Sequence, residues 1–406
     1  MESVRTGANG AGAAMNFAIV ARLALAVLFA LLCAPARAMT GEAPEFRALA
    51  ENVFVYVGKR NEANAMAIVT GQGVVVVDTG NSPAETRNFA KAIRAATSLP
   101  VQYVIVTQNH GDHIGGAPFF APPATMIVHD KVAKALAEMK PWRIKAWRAR
   151  FPERAGALEN SGPLANVMSF PARLSLRLGG VAIDLFHVPD QYNDGDVAVW
   201  LPGLGILHAG FVGYKDRHPD IRPDYSHGTT AGMLKQLEAM IALKPKIVIP
   251  GHGPVSTADD LKVEVDYILS ARAKVRAMMD RGLGIDAIRA GFDMREYAGW
   301  DLPDHFPLIA ETIWREFRGE GPQRAAVAEL PVNGTIRAIA ELGRFLTVVT
   351  DAGDELKLRI SNETFVEGVA DRALLKPGVK FSATYQKPEG VTPALGYLLM
   401  EISFAP

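Results

Sequence analysis

Apolar positions in the N-terminal half first alternate and then run unbroken. "NVFVYVG" alternates, and "NAMAIVTGQGVVVVDTG" sets two apolar runs around Gly71-Gln72-Gly73, so residues 52–80 read as a β-meander. "SPAETRNFAKAIRAAT" changes to helical spacing, with Ser82 as cap, Pro83 at the first helical position and Glu85 in the first turn. "VQYVIVT" is apolar throughout, as expected of a strand buried in a sheet flanked by helices. The polar cluster "QNHGDHIGG" follows at its C-terminal end, where open α/β sheets place their ligands.

The pattern then repeats in outline. A helical stretch over Lys131–Ala155 carries Trp142 and Trp147, read as core or lid packing. "LSLRLGGVAIDLFHVP" and "DVAVWLPGLGILHAG" are hairpins, "TTAGMLKQLEAMIAL" is a helix, and "KIVIPGHGP" is a buried strand that ends at His252. Two βα units in similar order imply a duplicated fold, without a residue-level repeat. Residues 257–319 are mainly helical and are expected on the outside. From Pro331 to Pro406 the chain becomes short alternating strands separated by turns such as "DAG" and "KPEG", the pattern of a small antiparallel barrel. The expected organisation is a leader over 1–38, an α/β domain over 45–322 and an OB- or SH3-like β-barrel over 328–406.

Composition narrows the chemistry. Lys+Arg and Asp+Glu are both 43 in 406 residues, so the net charge is zero, which argues against a nucleic-acid binder. Arg22, the apolar run Leu23–Leu32 and the site Ala36-Arg37-Ala38 read as a cleavable signal peptide. The run is shorter than the ~20 residues of a membrane span, so no stable membrane insertion is expected after cleavage, and the mature chain is expected in the periplasm or outside the cell. Cys33, the one cysteine, falls inside this leader, so no metal site of the mature chain uses thiolate. The barrel has no histidine and is assigned no metal chemistry; a protein partner, a ligand or the face of the first domain are its expected contacts.

His110, Asp112 and His113 are ligand types that suit zinc, iron or manganese. Their short spacing requires a sharp strand-to-helix turn, which Gly111 permits, while Gly115-Gly116 lets the following helix approach the sheet. The competing explanation is a capped helix start with incidental histidines. "PGHGP" around His252 repeats the form of an apolar strand ending in Gly-His-Gly, which weakens that explanation.

The order "VVVVDTG", "TQNHGDHIGG", "NDGDVAVWLP", "VIPGHGPV" resembles the metallo-β-lactamase superfamily, over about Asn52 to Thr257. The resemblance implies a four-layer αββα sandwich with one or two metal ions at the sheet edges, which activate water for hydrolysis. The family loop Thr-His-x-His-x-Asp-His reads here Thr107-Gln108-Asn109-His110-Gly111-Asp112-His113, so Gln108 replaces the first histidine. Tyr192 stands where the family has its next histidine, Phe211 where it has a bridging aspartate, and His252 is kept. One metal position therefore retains only His110, with Gln108 and Tyr192 as poor substitutes. The other retains Asp112, His113 and His252.

The resemblance thus implies a small-molecule hydrolase with one zinc ion, acting on an ester, thioester, lactam or similar carbonyl compound. Asp112 would orient the water or take its proton, Tyr192 would hydrogen-bond a developing oxyanion, and Asp78 would hold the metal loop from behind. The second reading is a non-catalytic ligand- or partner-binding descendant; the third is a mononuclear iron enzyme. His187 and His208 are expected near the site, His227 at the pocket mouth and His129 in packing.

Overall fold

The computed structural model describes residues 45–404 apart from 59–62, 81–82, 122, 138–165, 190–194, 222–228, 302–305, 321–328, 341–344, 367–374 and 388–396. The leader over 1–38, the Ser82 cap, Trp142, Trp147, Tyr192 and His227 therefore lie outside the described residues.

Seven strands form the first sheet in sequence order: β1 (Glu45–Ala50), β2 (Val53–Val57), β3 (Ala65–Val69), β4 (Val74–Val77), β5 (Val101–Ile105), β6 (Thr125–His129) and β7 (Val167–Phe170). β1 to β4 pair antiparallel, and β4 to β7 run parallel. Parallel neighbours need a crossover. Helix α1 (Pro83–Ala96) supplies the first, between β4 and β5. The short helices α2 (Gly111–Ile114) and α3 (Ala117–Phe120) fill the second, between β5 and β6, and α4 (Asp130–Ala137) follows β6. The edge strands β1 and β7 were not anticipated from the sequence, because neither "EFRALA" nor "VMSF" carries a clean period-2 signal.

The second sheet has the order β12 (Ile247–Ile249), β11 (Ile206–His208), β10 (Ala198–Leu201), β9 (Val181–Phe186), β8 (Arg173–Leu178). β11 and β12 are parallel, joined through α5 (Thr230–Ala242). After β12 come α6 (Ala258–Asp280), α7 (Ile285–Gly291) and α8 (Phe306–Phe317).

Three apolar clusters separate four layers. Val55, Ile68, Val77 and Ile105 of the first sheet meet Ile183, Leu185, Val199 and Ile206 of the second. The opposite face of the first sheet, including Val76 and Val104, packs on Phe89 and Ile93 of α1. The opposite face of the second, including Leu207 and Val248, packs on Leu237 of α5 and Ile268 of α6. Strand residues alternate between the two faces, so Val75 and Val77 lie in one cluster while Val74 and Val76 lie in the other. This is the αββα sandwich that the resemblance implied. No helix among the described residues is long and apolar enough to cross a membrane.

The C-terminal strands β13 (Glu329–Ala340), β14 (Phe345–Thr350), β15 (Glu355–Val366), β16 (Lys380–Gln386) and β17 (Tyr397–Phe404) close into a barrel of order β13-β14-β15-β17-β16. It encloses its own core, with Ile336, Leu346, Leu358 and Leu399 at the centre. The expected all-antiparallel pairing is corrected at one seam: β15 and β17 run parallel. β16 pairs with β13 across the barrel, and β17 then fills the gap between β16 and β15, which sets its direction alongside β15.

Candidate metal centre

Three side chains from two strand ends converge. Asp112 and His113 belong to α2, which begins six residues after β5, and His252 lies three residues after β12. One ligand atom from each lies within 4.8 Å of the other two, and all three residues are buried. The Asp112 Oδ2 oxygen is 3.0 Å from His252 Nε2 and 3.7 Å from His113 Nε2. The imidazole planes of His113 and His252 stand nearly perpendicular, at 87°.

A four-residue helix does not hold its own shape, so α2 is pinned from below. The backbone N–H and hydroxyl of Thr79 both donate to the His113 carbonyl, at 2.9 and 2.8 Å. Gly116 must be glycine here: a Cβ would come within 2.4 Å of the Thr79 carbonyl oxygen. Asp78 completes the hold. Its carboxylate accepts from the Thr107 amide at 2.8 Å, the Thr107 hydroxyl at 2.7 Å and His113 Nδ1 at 2.7 Å. Asp78 adopts φ 56°, a left-handed conformation that Asp tolerates better than most residues and that aims its carboxylate under the loop. The sequence places Asp78 behind the loop, and the structure adds a direct bond to the imidazole of His113. Committing Nδ1 in this way leaves Nε2 of His113 facing Asp112 and His252.

Gln108 meets that same nitrogen. Its amide Nε2 lies 2.5 Å from His113 Nε2, inside the buried centre. A neutral His113, with its proton on Nδ1, accepts from the amide N–H. An imidazolium donates instead, and the amide then presents its oxygen.

His252 is held from three sides. Asn64 donates from Nδ2 to the carbonyls of Pro250 (2.9 Å) and Gly253 (2.8 Å), and its backbone N–H donates to Gly251 (2.8 Å). Gly251 passes so close to the β11 loop that a Cβ would meet the Gly210 carbonyl oxygen at 2.4 Å. Tyr214 lies parallel to the His252 ring, 6.3 Å between centroids and 10° between planes. Glu264 of α6 accepts from the backbone amides of Gly213 and Tyr214, at 2.8 and 3.0 Å. Asn64, Tyr214 and Glu264 carried no signal that singled them out in the sequence. Each acts on the site only through contacts across more than 35 residues of chain: Asn64 and Glu264 through their bonds, Tyr214 through its ring against His252.

The other expected residues are distributed as follows. His110 stands just before α2, half-buried, with its ring edge-on to Phe211 at 6.0 Å, and is outside the converging three. Phe211 is buried between His110 and Tyr214, so it contributes an apolar wall. His208 is buried against Asp78 (3.9 Å) and accepts from the Gly210 amide; it backs the second layer and does not join the three. His187 donates from Nδ1 to the Asp196 carbonyl at 2.9 Å and lies over His129, whose Nε2 donates to the Pro171 carbonyl at 2.7 Å.

Charge in the centre is mutually held. Burial alone raises the Asp112 carboxyl, but His113, His252 and His110 overcome this and hold it below the usual carboxylate range. Burial lowers His113, yet the Asp78 and Asp112 carboxylates outweigh it and push the imidazole up to about 9. Burial lowers His252, against the pull of Asp112. Burial pushes the Glu264 carboxyl up to about 8, against the two amides it accepts from.

The three donors fit a metal ion. Two imidazole nitrogens and one carboxylate oxygen would suit zinc, and both nitrogens approach the Asp112 oxygen.

The family profile described as the metallo-β-lactamase superfamily matches residues 58–252, a span that closes on His252. The α subunit of 2,4-dinitroanisole O-demethylase from Nocardioides sp. (strain JS1661) is 23% identical over 236 residues, covering 57% of this chain and 62% of that one. Metallo-β-lactamase IND-1 from Chryseobacterium indologenes is 23% identical over 200 residues, covering 49% and 74%. Among solved structures, the sec-alkylsulfatase Pisa1 from Pseudomonas sp. shares the fold at a TM-score of 0.50 and 13% identity, over 70% of this chain and 51% of that one. The chain thus spans less than two thirds of the demethylase subunit and about half of the sulfatase. Fold, strand-end loops and matched span agree, and residues 58–252 form a domain of the metallo-β-lactamase superfamily.

Proposed function

We propose that the protein is an exported hydrolase that works with one zinc ion held by Asp112, His113 and His252, acting on a carbonyl-type substrate such as an ester, thioester or lactam. The observation that carries this reading is the convergence of those three donors with His113 Nδ1 already committed to Asp78. Bound zinc supplies Lewis acidity and lowers the pKa of water toward neutrality. Asp112 stays ionised through the neutral range, so it serves as ligand and hydrogen-bond acceptor and not as a proton donor. Its carboxylate orients water, Asp78 keeps the His113 imidazole from turning away, and Asn64 fixes the backbone turn that carries His252. Phe211 and the edge of His110 form an apolar side that favours an organic substrate. Tyr192 is assigned the hydrogen bond to the developing oxyanion. Hydrolysis places the water oxygen on the carbonyl carbon and its proton on the leaving group.

The relatives, named as a demethylase, lactamases and a sulfatase, point to hydrolysis while differing in the bond cleaved. The test is zinc-loaded protein assayed on ester, thioester, lactam, aryl ether and alkyl sulfate panels. Turnover of a carbonyl compound that chelation removes supports the reading. Turnover confined to ethers or sulfates corrects the substrate class, and a zinc-bound protein inert on all five favours the non-catalytic binding descendant.

Gln108→Ala is expected to leave zinc stoichiometry unchanged and to tighten binding a few-fold. The amide competes for the nitrogen that zinc needs, at a net cost of about 1 kcal/mol for one hydrogen bond. Competition titration against a chelator checks it, and weaker binding would mean that Gln108 is itself a ligand. Zinc affinity is also expected to climb with pH up to about 9, with release of the His113 proton, because the metal must displace that proton. Calorimetric titration in buffers of different ionisation enthalpy measures the protons released; a pH-independent affinity above pH 6.5 contradicts it.

A further inference from the structure

The barrel is more than an appendage. Its strand β15 lies against α2, the four-residue helix that carries Asp112 and His113. Along β15, Leu358 and Ile360 point into the barrel core, 0% and 3% exposed. Alternation places Arg359 on the outer face, yet it too is buried, at 6% exposure. An outward arginine on an isolated barrel strand would lie in water, so this face of β15 is covered. Just beyond it the ladder breaks: the pairing with β17 runs to Ile360 and resumes at Phe365, five residues on, while β17 advances by two. Such bulges bend a strand away from the barrel wall and often border active sites. α2 is pinned from below by Thr79 and Asp78, and β15 is a second element beside it.

We propose that the barrel is a working part of the metal centre: β15, with Arg359 on its outer face, braces the loop that carries Asp112 and His113, so that metal occupancy and seating of the barrel are coupled. This rests on the reading of Asp112, His113 and His252 as metal ligands. Arg359 touches neither metal nor substrate in this account; it is a positioning residue, acting through α2. Coupling of this kind is reciprocal: a metal that steadies α2 must steady β15 by the same free energy.

The test uses the full chain and zinc alone. Amide hydrogen exchange is compared between zinc-free and zinc-saturated protein over residues 107–117, 248–254, 345–350 and 355–366. The expected result is slower exchange with zinc in the first two segments and in 355–366, with 345–350 on the neighbouring strand unchanged. Protection of 107–117 and 248–254 without 355–366 overturns the coupling and leaves the metal site standing. Zinc that alters none of them removes the metal site itself, and this inference with it. As the reciprocal arm, Arg359→Ala is expected to bind zinc about 5-fold more weakly or more in competition with a chelator at equilibrium, the lower end of typical couplings, and Arg359→Lys to fall between the two. A folded Arg359→Ala that binds zinc with the parent affinity overturns the assignment of Arg359. If that variant does not fold, the exchange measurement on the unaltered chain decides.

Discussion

His252→Ala is expected to lose tight zinc binding, with affinity lowered by roughly 100-fold or more, since even the outer partners of metal ligands carry 10–100-fold. The side chain supplies one of three protein donors, and its Nε2 lies 3.0 Å from the Asp112 oxygen that His113 Nε2 also approaches. Nothing described nearby replaces it: His208 is tied to Asp78 and the Gly210 amide, and His110 faces Phe211. Asp112→Asn should match it, because the amide keeps the shape but removes the anion. Equilibrium dialysis against buffered zinc checks both. Retention of zinc by His252→Ala would place the metal elsewhere.

The second large effect is on the fold. Asp78→Asn is expected to destabilise the metal-free protein at pH 6 by part of the roughly 3 kcal/mol that the raised His113 represents, the rest being held by Asp112 and Asp196, and by much less above pH 9. The figure follows from His113, whose pKa rises from 6.5 to about 9 on folding, where one unit corresponds to about 1.4 kcal/mol. A histidine with a raised folded pKa contributes stability that is fully present below 6.5 and is lost as the pH rises through about 9. The Asp78 carboxylate is the largest single source of that rise. Asn keeps one acceptor for the Thr107 amide but turns an NH₂ toward the Thr107 hydroxyl or His113 Nδ1. Urea unfolding of the zinc-free variant and parent across this pH range measures the difference. An equal loss at pH 6 and pH 9 would show that Asp78 acts through the Thr107 bonds and not through the charge on His113.

Most of the frame was legible in the sequence because its signals are local. Four consecutive valines, the unbroken "VQYVIV" and the Gly-His-Gly strand end encode buried strands and their exits without reference to the rest of the chain. That Asp112 and His113 meet His252, 139 positions further along, was legible only through the family resemblance. What stayed hidden is what depends on tertiary approach. Asn64 precedes β3 as an unremarkable polar residue, and only the fold brings it to the Pro250–Gly253 turn. Glu264 looks like one more acidic residue on an amphipathic helix until burial places it on the Gly213 and Tyr214 amides. Gln108 read as a poor substitute ligand, and the structure instead sets it against the nitrogen of a retained one. The parallel β15–β17 seam was hidden because strand pattern carries no information about which edges meet.

We propose that one metal position has been kept and the other lost. Elemental analysis of the purified full chain after zinc saturation and removal of excess metal tests it most directly. About one zinc per chain, lost in His252→Ala and kept in Gln108→Ala, is the predicted result. Two zinc ions per chain, or none, would contradict it.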